Sequence, residues 1–304
     1  TTWGTRGYAD VFSRILSLGV CHSEHPLISR LDGKCELERC LRDYERSTGH
    51  VVSRPPTWTS DDLVRAEALP PGSNLFVILK PSGSGKCNGV EIVPRDSIGS
   101  LAREVSEGKR PPFVVQELVD DVFLYNGRRW DIRGNVLATS LSPLRYHFHP
   151  QGVAKTAGAA AHPGSIALDE WLNADSFLEG RQQAENLALS DMLEHIAGEY
   201  MPLEGFWARI DELVGHVFSA IALQAETEHL SPDRAFMYPG FDFIVEREGA
   251  DGYAVRLLEI NSHPGLGWDP HVTEALMLEY RSWFDALMTM ATEKDRVHDA
   301  VADS

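Results

Sequence analysis

The sequence predicts an α+β protein of two lobes around a cleft, and three observations carry that reading. Short apolar strands alternate with segments of helical period. A glycine-rich loop lies between two of the strands, as in a hairpin. The 304 residues, 43% hydrophobic and 24% charged, suffice for one large domain or for two lobes.

The elements follow in chain order. In ELERCLRDYERS (36–47), Leu37, Cys40, Leu41 and Tyr44 recur at i, i+3, i+4 and i+7, which predicts an amphipathic helix on the first lobe. The prolines of RPPTW forbid helix. A second helix is expected in SDDLVRAEALPPGSN, with Ser60 as its N-cap and Pro-Pro-Gly as its stop. NLFVILKP is a buried strand by composition, SGSGKCNG a glycine loop, and VEIV the returning strand. RDSIGSLAREVSEG reads as a short helix and PFVVQELV as another buried strand. Asn126-Gly127 turns the chain into a long strand through NGRRWDIRGNVLATS, and LRYHFHP pairs back across Ser142-Pro143. AKTAGAAAHPGS is expected as a mobile loop. Helices are placed at roughly 181–199 and 204–228, then strands GFDFIVE and YAVRLLEIN, then a last helix from about 271 to 292.

Charge and cysteine content narrow the function classes. The net charge is −17, and residues 151–304 hold 9 basic against 27 acidic side chains, which argues against a nucleic-acid substrate. The apolar runs are far shorter than the ~20 residues of a membrane span. TTWGTRGYAD lacks the pattern of a secretory signal, so a cytoplasmic protein is expected. Cys21, Cys35, Cys40 and Cys87 form no C-x-x-C pair and read as free thiols. Arg30, Lys34, Arg39, Arg42, Arg46 and Arg54 are either a basic docking surface for an acidic partner or a solvated helix face.

Three motifs carry chemistry. KPSGSGKCNG is no Walker A motif, because Cys87 and a strand follow where Ser or Thr and a helix are required. A glycine hairpin still covers phosphates when Gly83, Gly85 and Gly89 expose backbone N–H groups and Lys80 and Lys86 add charge. Asp242, Glu259 and Asn261 lie on two strands read as neighbours, and Glu259 and Asn261, two apart, share a face. Their oxygens suit Mg²⁺; the competing reading is an ion pair to arginine. Arg129, Asp131 and Arg133 alternate along one strand, lining either a polar cleft or an exposed edge.

In order and type, ILKPSGSGKCNGVEIV, VVQELVDDVFLYNGRRWDIRGNVLATS and GFDFIVEREGADGYAVRLLEINSHPGL resemble blocks of the tubulin-tyrosine-ligase-like family, as does ISRLDGKCELERCL upstream. That resemblance implies an ATP-grasp fold, two α+β lobes with mainly antiparallel sheets sandwiching ATP. It divides the chain into an N-terminal region (1–74), a central lobe with the glycine hairpin (75–119) and a C-terminal lobe with the magnesium site (120–304). It puts Lys80 on the α and β phosphates, Lys86 in the basic position of the glycine loop, and Gln116, Glu117 and Leu118 at the adenine hinge. Asp131 would contact the ribose, with Arg129 the basic residue two positions before it. Arg133 would steady the γ-phosphate and the acyl phosphate, with Lys155 where many members carry a second arginine. Asp242, Glu259 and Asn261 would hold one or two Mg²⁺ ions. The implied activity is an ATP- and Mg²⁺-dependent ligase that joins an amino acid to a peptide or protein acceptor, tubulin included, through an acyl phosphate. A monomer is expected.

Two departures bear on substrate. The family's His-Leu-Thr-Asn stretch is not recognisable where AGAAAHPGSIALDEWLN stands, leaving His162 as the available histidine, and Lys155 lacks the bidentate fork of arginine. The alternatives are an ATP-grasp kinase of a small polyol, of inositol-phosphate type, and a non-catalytic ATP-binding scaffold.

Overall fold

The structure is a computed structural model describing residues 23–24, 27–66, 74–85, 87–148, 152–172, 186–197, 205–230, 235–249 and 252–262. In chain order the elements are β1 (Ser23–Glu24), α1 (Ile28–Leu31), α2 (Lys34–Thr48), β2 (Thr57–Thr59), α3 (Ser60–Ala66), β3 (Phe76–Pro81) and β4 (Glu91–Pro94). Then come α4 (Ile98–Ser106), β5 (Phe113–Glu117), β6 (Trp130–Leu141), β7 (Leu144–Phe148), β8 (Val153–Thr156), α5 (Leu168–Trp171) and β9 (Asn186–Ala188). α6 (Leu189–Ala197), α7 (Phe206–Thr227), β10 (Ala235–Phe236), β11 (Gly240–Glu248) and β12 (Gly252–Asn261) complete the set. Among the described residues no helix is long and apolar enough to cross a membrane. The last predicted helix lies outside the described residues.

The strands form the α+β architecture expected. A small sheet has the order β2-β5-β3-β4 and a large one the order β12-β11-β6-β8-β9, with β7 paired to the far half of β6; all these pairings are antiparallel. A short parallel pair, β1 with β10, stands apart. On the small sheet, α3 and α4 cover Val77, Leu79, Phe113 and Val115 with Leu63, Ile98 and Ala102. On the large one, α7 covers the odd-numbered residues of β11, where Phe218, Phe241 and Phe243 stack with ring centroids 5.7 and 5.8 Å apart. Burying each ring contributes ~1.5–3 kcal/mol. The predicted stripe of α2 is buried as read, against this larger core, and Gly49 ends the helix in the left-handed region at φ +77°.

Local expectations changed in three places. Thr59, not Ser60, caps α3: Thr59 Oγ1 accepts from Asp62 N–H at 3.3 Å while Thr59 N–H donates to Asp62 Oδ2 at 3.0 Å, a reciprocal capping box. Ser60 is buried, its hydroxyl accepting from Phe113 N–H. The segment expected as a loose loop begins as β8, and beyond it Ala157, Ala159 and Ala161 donate their N–H groups to Arg129, Asp169 and Gly127 carbonyls. Its small residues permit close backbone approach there rather than motion. β9 and α6 occupy 186–197, where a single helix was read.

Candidate functional site

The two sheets face each other across a cleft of about 970 Å³, counted to its solvent-open mouth. Its floor is the large sheet, and the register there decides which side chains meet. Asp242 pairs with Arg133 on β6 and with Glu259 on β12, while Asp131 pairs with Lys155 on β8. One row thus runs Glu259, Asp242, Arg133 across three strands, with Asp131 and Lys155 two residues further along. β6 is an interior strand, which settles against an exposed edge for Arg129, Asp131 and Arg133.

A bulge produces this row. On β12, Tyr253, Val255 and Leu257 face the core, and simple alternation would send Glu259 after them. The register shifts instead: Phe243 pairs with Leu257 and Asp242 with Glu259, leaving Leu258 as the extra residue. Glu259 and Asn261 therefore turn to the cleft while Ile260 and Ser262 turn inward, and Leu258 with Ile244 gives the cleft apolar floor.

The roof is β3, the hairpin and the strand leading to the lobe junction. Lys80 Nζ donates to Gln116 Oε1 at 2.8 Å, and Gln116 Nε2 donates to Thr57 Oγ1 at 3.0 Å. Glu117 is tied to Arg95, and the Leu118 carbonyl accepts from Asn74 Nδ2 at 3.1 Å. Gln116, Glu117 and Leu118 all line the cleft. A Cβ at Gly83 or Gly85 would meet open space, so packing does not require glycine at either position. Lys86 lies outside the described residues. Arg129 donates to the Val119 carbonyl at 2.8 Å and stacks 3.6 Å over the Trp171 ring.

Charge is concentrated on the floor. Arg133 grips Asp242 with two nitrogens, Nη2 to Oδ2 at 2.7 Å, and Lys155 Nζ stands 3.8 Å from Oδ1. Burial alone would raise the Asp242 carboxyl; Arg133 and Lys155 overcome it and hold the group at about 2. Burial pushes Asp131 up to about 7 against the pull of Lys155, with Asp242 adding to the rise. Burial likewise lowers the Lys80 ammonium, and Glu259 opposes that shift.

The donor set fits a hard cation. Asp242 and Glu259 sit side by side, and Asn261 Nδ2 reaches Asp242 Oδ2 at 3.2 Å, so turning the amide over would present a third oxygen. Adjacent carboxylates repel unless a cation lies by, and here Arg133, Lys155 and Lys34 supply that charge. The competing reading, an ion pair to arginine, is thus met at Asp242, while Glu259 pairs with Lys34.

Sequence reasoning missed three cleft residues. Lys34, read as one of the surface bases, points inward with its side chain 13% exposed and Nζ 3.3 Å from Glu259 Oε2. Trp171 and Leu172 close one wall of the cleft. His162 stays at the surface, bonded to Glu170. Of the two readings of the other basic residues, the ion pairs favour the solvated helix face: Arg30 pairs with Glu228, Arg39 with Asp61, Arg42 with Glu38 and Asp62, Arg46 with Asp43, and Arg54 with Glu38 and Glu45. Each positive charge is offset by a neighbouring acid.

Comparison with known proteins adds an independent observation. A family model described as "Tubulin-tyrosine ligase family" matches residues 52–278. The chain is 26% identical to the tubulin polyglutamylase TTLL7 of Xenopus tropicalis over 52% of its length and 20% of that protein's. It is 24% identical to the human tubulin monoglutamylase TTLL4 over 43% of its length and 10% of that protein's. The matches therefore span a fifth or less of each relative.

Proposed function

From the premise that this chain belongs to the tubulin-tyrosine ligase family, we propose that it is an ATP- and Mg²⁺-dependent carboxylate–amine ligase acting on a peptide or protein acceptor. The observation that supports it most is the row Glu259–Asp242–Arg133 facing Lys80 across the cleft. In this reading Asp242, Glu259 and Asn261 hold the cation, which when bound neutralises the terminal phosphates. Lys80 and the Gly83 and Gly85 backbone would hold the phosphates, and the Lys86 charge would add to theirs. Gln116, Glu117, Leu118, Arg129 and Asp131 position the nucleoside. The regions 1–74, 75–119 and 120–304 and a cytoplasmic setting belong to the same proposal.

An oxygen of the acceptor carboxylate attacks the γ-phosphorus, the bond to the bridging oxygen breaks, and ADP leaves. The amine then attacks the acyl phosphate, an amide forms, and phosphate departs with its electron pair as the ammonium loses its proton. Arg133 and Lys155 balance charge on the transferring group. Catalysis is then positioning plus charge neutralisation in a site prepared before substrate arrives. Because both relatives are named for adding glutamate, glutamate is the first amino acid to supply and an acidic tubulin-tail peptide the first acceptor.

Incubation with ATP, Mg²⁺, amino acids and candidate peptides tests this by following ADP and peptide mass. A gain of one amino-acid residue per ADP is expected. A gain of one phosphate makes the protein a kinase, and no turnover makes it a scaffold.

A further inference from the structure

Lys34 contacts both walls of the cleft, and nothing in the proposed ligand set uses it. Its Nζ lies 3.3 Å from Glu259 Oε2 on the floor and donates to the Ser84 carbonyl of the glycine hairpin at 2.9 Å. Its backbone N–H donates to the Ser82 carbonyl at 3.2 Å. Two residues earlier, Asp32 accepts from Ser262 N–H at 2.6 Å and from its hydroxyl, fastening the strand end next to Asn261. Gly33 between them is closely approached: a Cβ there would displace the Glu36 carboxylate and sit tightly at 3.0 Å from the Arg30 carbonyl. Asp32-Gly33-Lys34 is therefore a brace joining the first helices to both lobes.

Position makes the lysine unusual. It is the first residue of α2, where a positive charge opposes the helix dipole, so helix formation does not favour it there. With 13% of its side chain exposed, it is no solvated surface base either. What holds it are the Ser84 carbonyl and Glu259, the latter a residue whose carboxylate the proposed cation needs.

We propose that Lys34 is an exchangeable counter-ion: it neutralises Glu259, and it must yield that carboxylate before a divalent cation can bind there. The freed ammonium, still hung from the hairpin, then faces the phosphates that the same hairpin covers. Lys34 thus competes with the metal and assists the nucleotide, two effects of opposite sign from one charge. This inference rests on the ligase reading for the identity of the ligands, while the contacts that carry it are those of Lys34 with Glu259 and with the Ser84 carbonyl.

The test measures Mn²⁺ binding alone, by electron paramagnetic resonance, and binding of a nonhydrolysable ATP analogue at saturating Mn²⁺, by calorimetry. In Lys34→Met, Mn²⁺ alone should bind about tenfold tighter and the analogue about tenfold weaker, the size of one charge-assisted contact. Lys34→Gln, which keeps a donor for the Ser84 carbonyl without the charge, should move Mn²⁺ binding as Met does, and Lys34→Arg should restore both values. A brace that is only structural would weaken both ligands together. Such parallel loss, or two unchanged affinities, overturns the proposal while wild-type binding leaves the ligase reading standing. A wild-type protein that binds neither probe overturns both.

Discussion

Replacing Glu259 by Gln keeps the shape of the side chain and removes its charge. Because its partners Lys34 and Asp242 lie at a solvent-open cleft, the variant should fold with an unchanged urea midpoint and lose on the order of 10²–10³ in kcat. Wild-type turnover would remove Glu259 from the cation site. Asp131 makes a pH prediction. Its carboxyl rises from an ordinary 3.8 to about 7 on folding, so the native state holds an extra proton in that interval and loses stability as pH climbs through it. Asp131→Asn should therefore flatten the decline of the metal-free urea midpoint between pH 5 and pH 8, and an equally steep decline would place the titration elsewhere. At this scale the acid pair was legible because carboxylates rarely stand inside apolar strands unless something offsets their charge. Lys34 was not, since a lysine amid arginines on a helical stretch carries no mark of which way it points.

The bulge at Leu258 is the element on which the site geometry turns. Deleting Leu258 removes only the extra residue: Glu259 then follows core-facing Leu257 directly, so Glu259 and Asn261 keep facing the cleft and Ile260 the core, now without the bulge. The deletion should therefore retain Mn²⁺ binding within a few-fold of wild type, and abolished binding would show that the bulged backbone itself, beyond the facing of Glu259 and Asn261, shapes the site. The capping box of α3 gives a second check: Thr59→Ala should cost about 1 kcal/mol in urea unfolding, more than Ser60 contributes as a cap. Sequence periodicity identified β3, β4, β5, β6, β11 and β12 because each is a run of apolar residues between turn signals. It placed Glu259 and Asn261 on one face correctly but could not see that both had changed face, since a bulge inserts a residue without altering composition. β8 escaped because its four residues run into an Ala- and Gly-rich stretch that reads as a loop, and β9 because its three residues lead straight into α6 and read as part of one helix.

Across the whole molecule, the charge of −17 and the pairing of the α2 arginines leave that helix without free positive charge. Arg39→Gln with Arg46→Gln should change stability by less than ~0.5 kcal/mol and leave turnover of an acidic peptide unaltered, as exposed ion pairs predict. A drop in peptide affinity that salt reproduces would restore α2 as a docking surface. The two-lobed α+β layout was legible because a glycine hairpin and an acid-bearing strand pair appear in fixed order along the chain. How the lobes are braced was not, because the Asp32–Ser262 contact joins residues 230 positions apart. The central claim is that the cleft activates a carboxylate by phosphorylating it. The direct measurement uses an acceptor peptide labelled with ¹⁸O in its carboxyl groups, with ATP, Mg²⁺ and the amine. One labelled oxygen should appear in inorganic phosphate for each amide formed; amide formation with unlabelled phosphate would contradict the account.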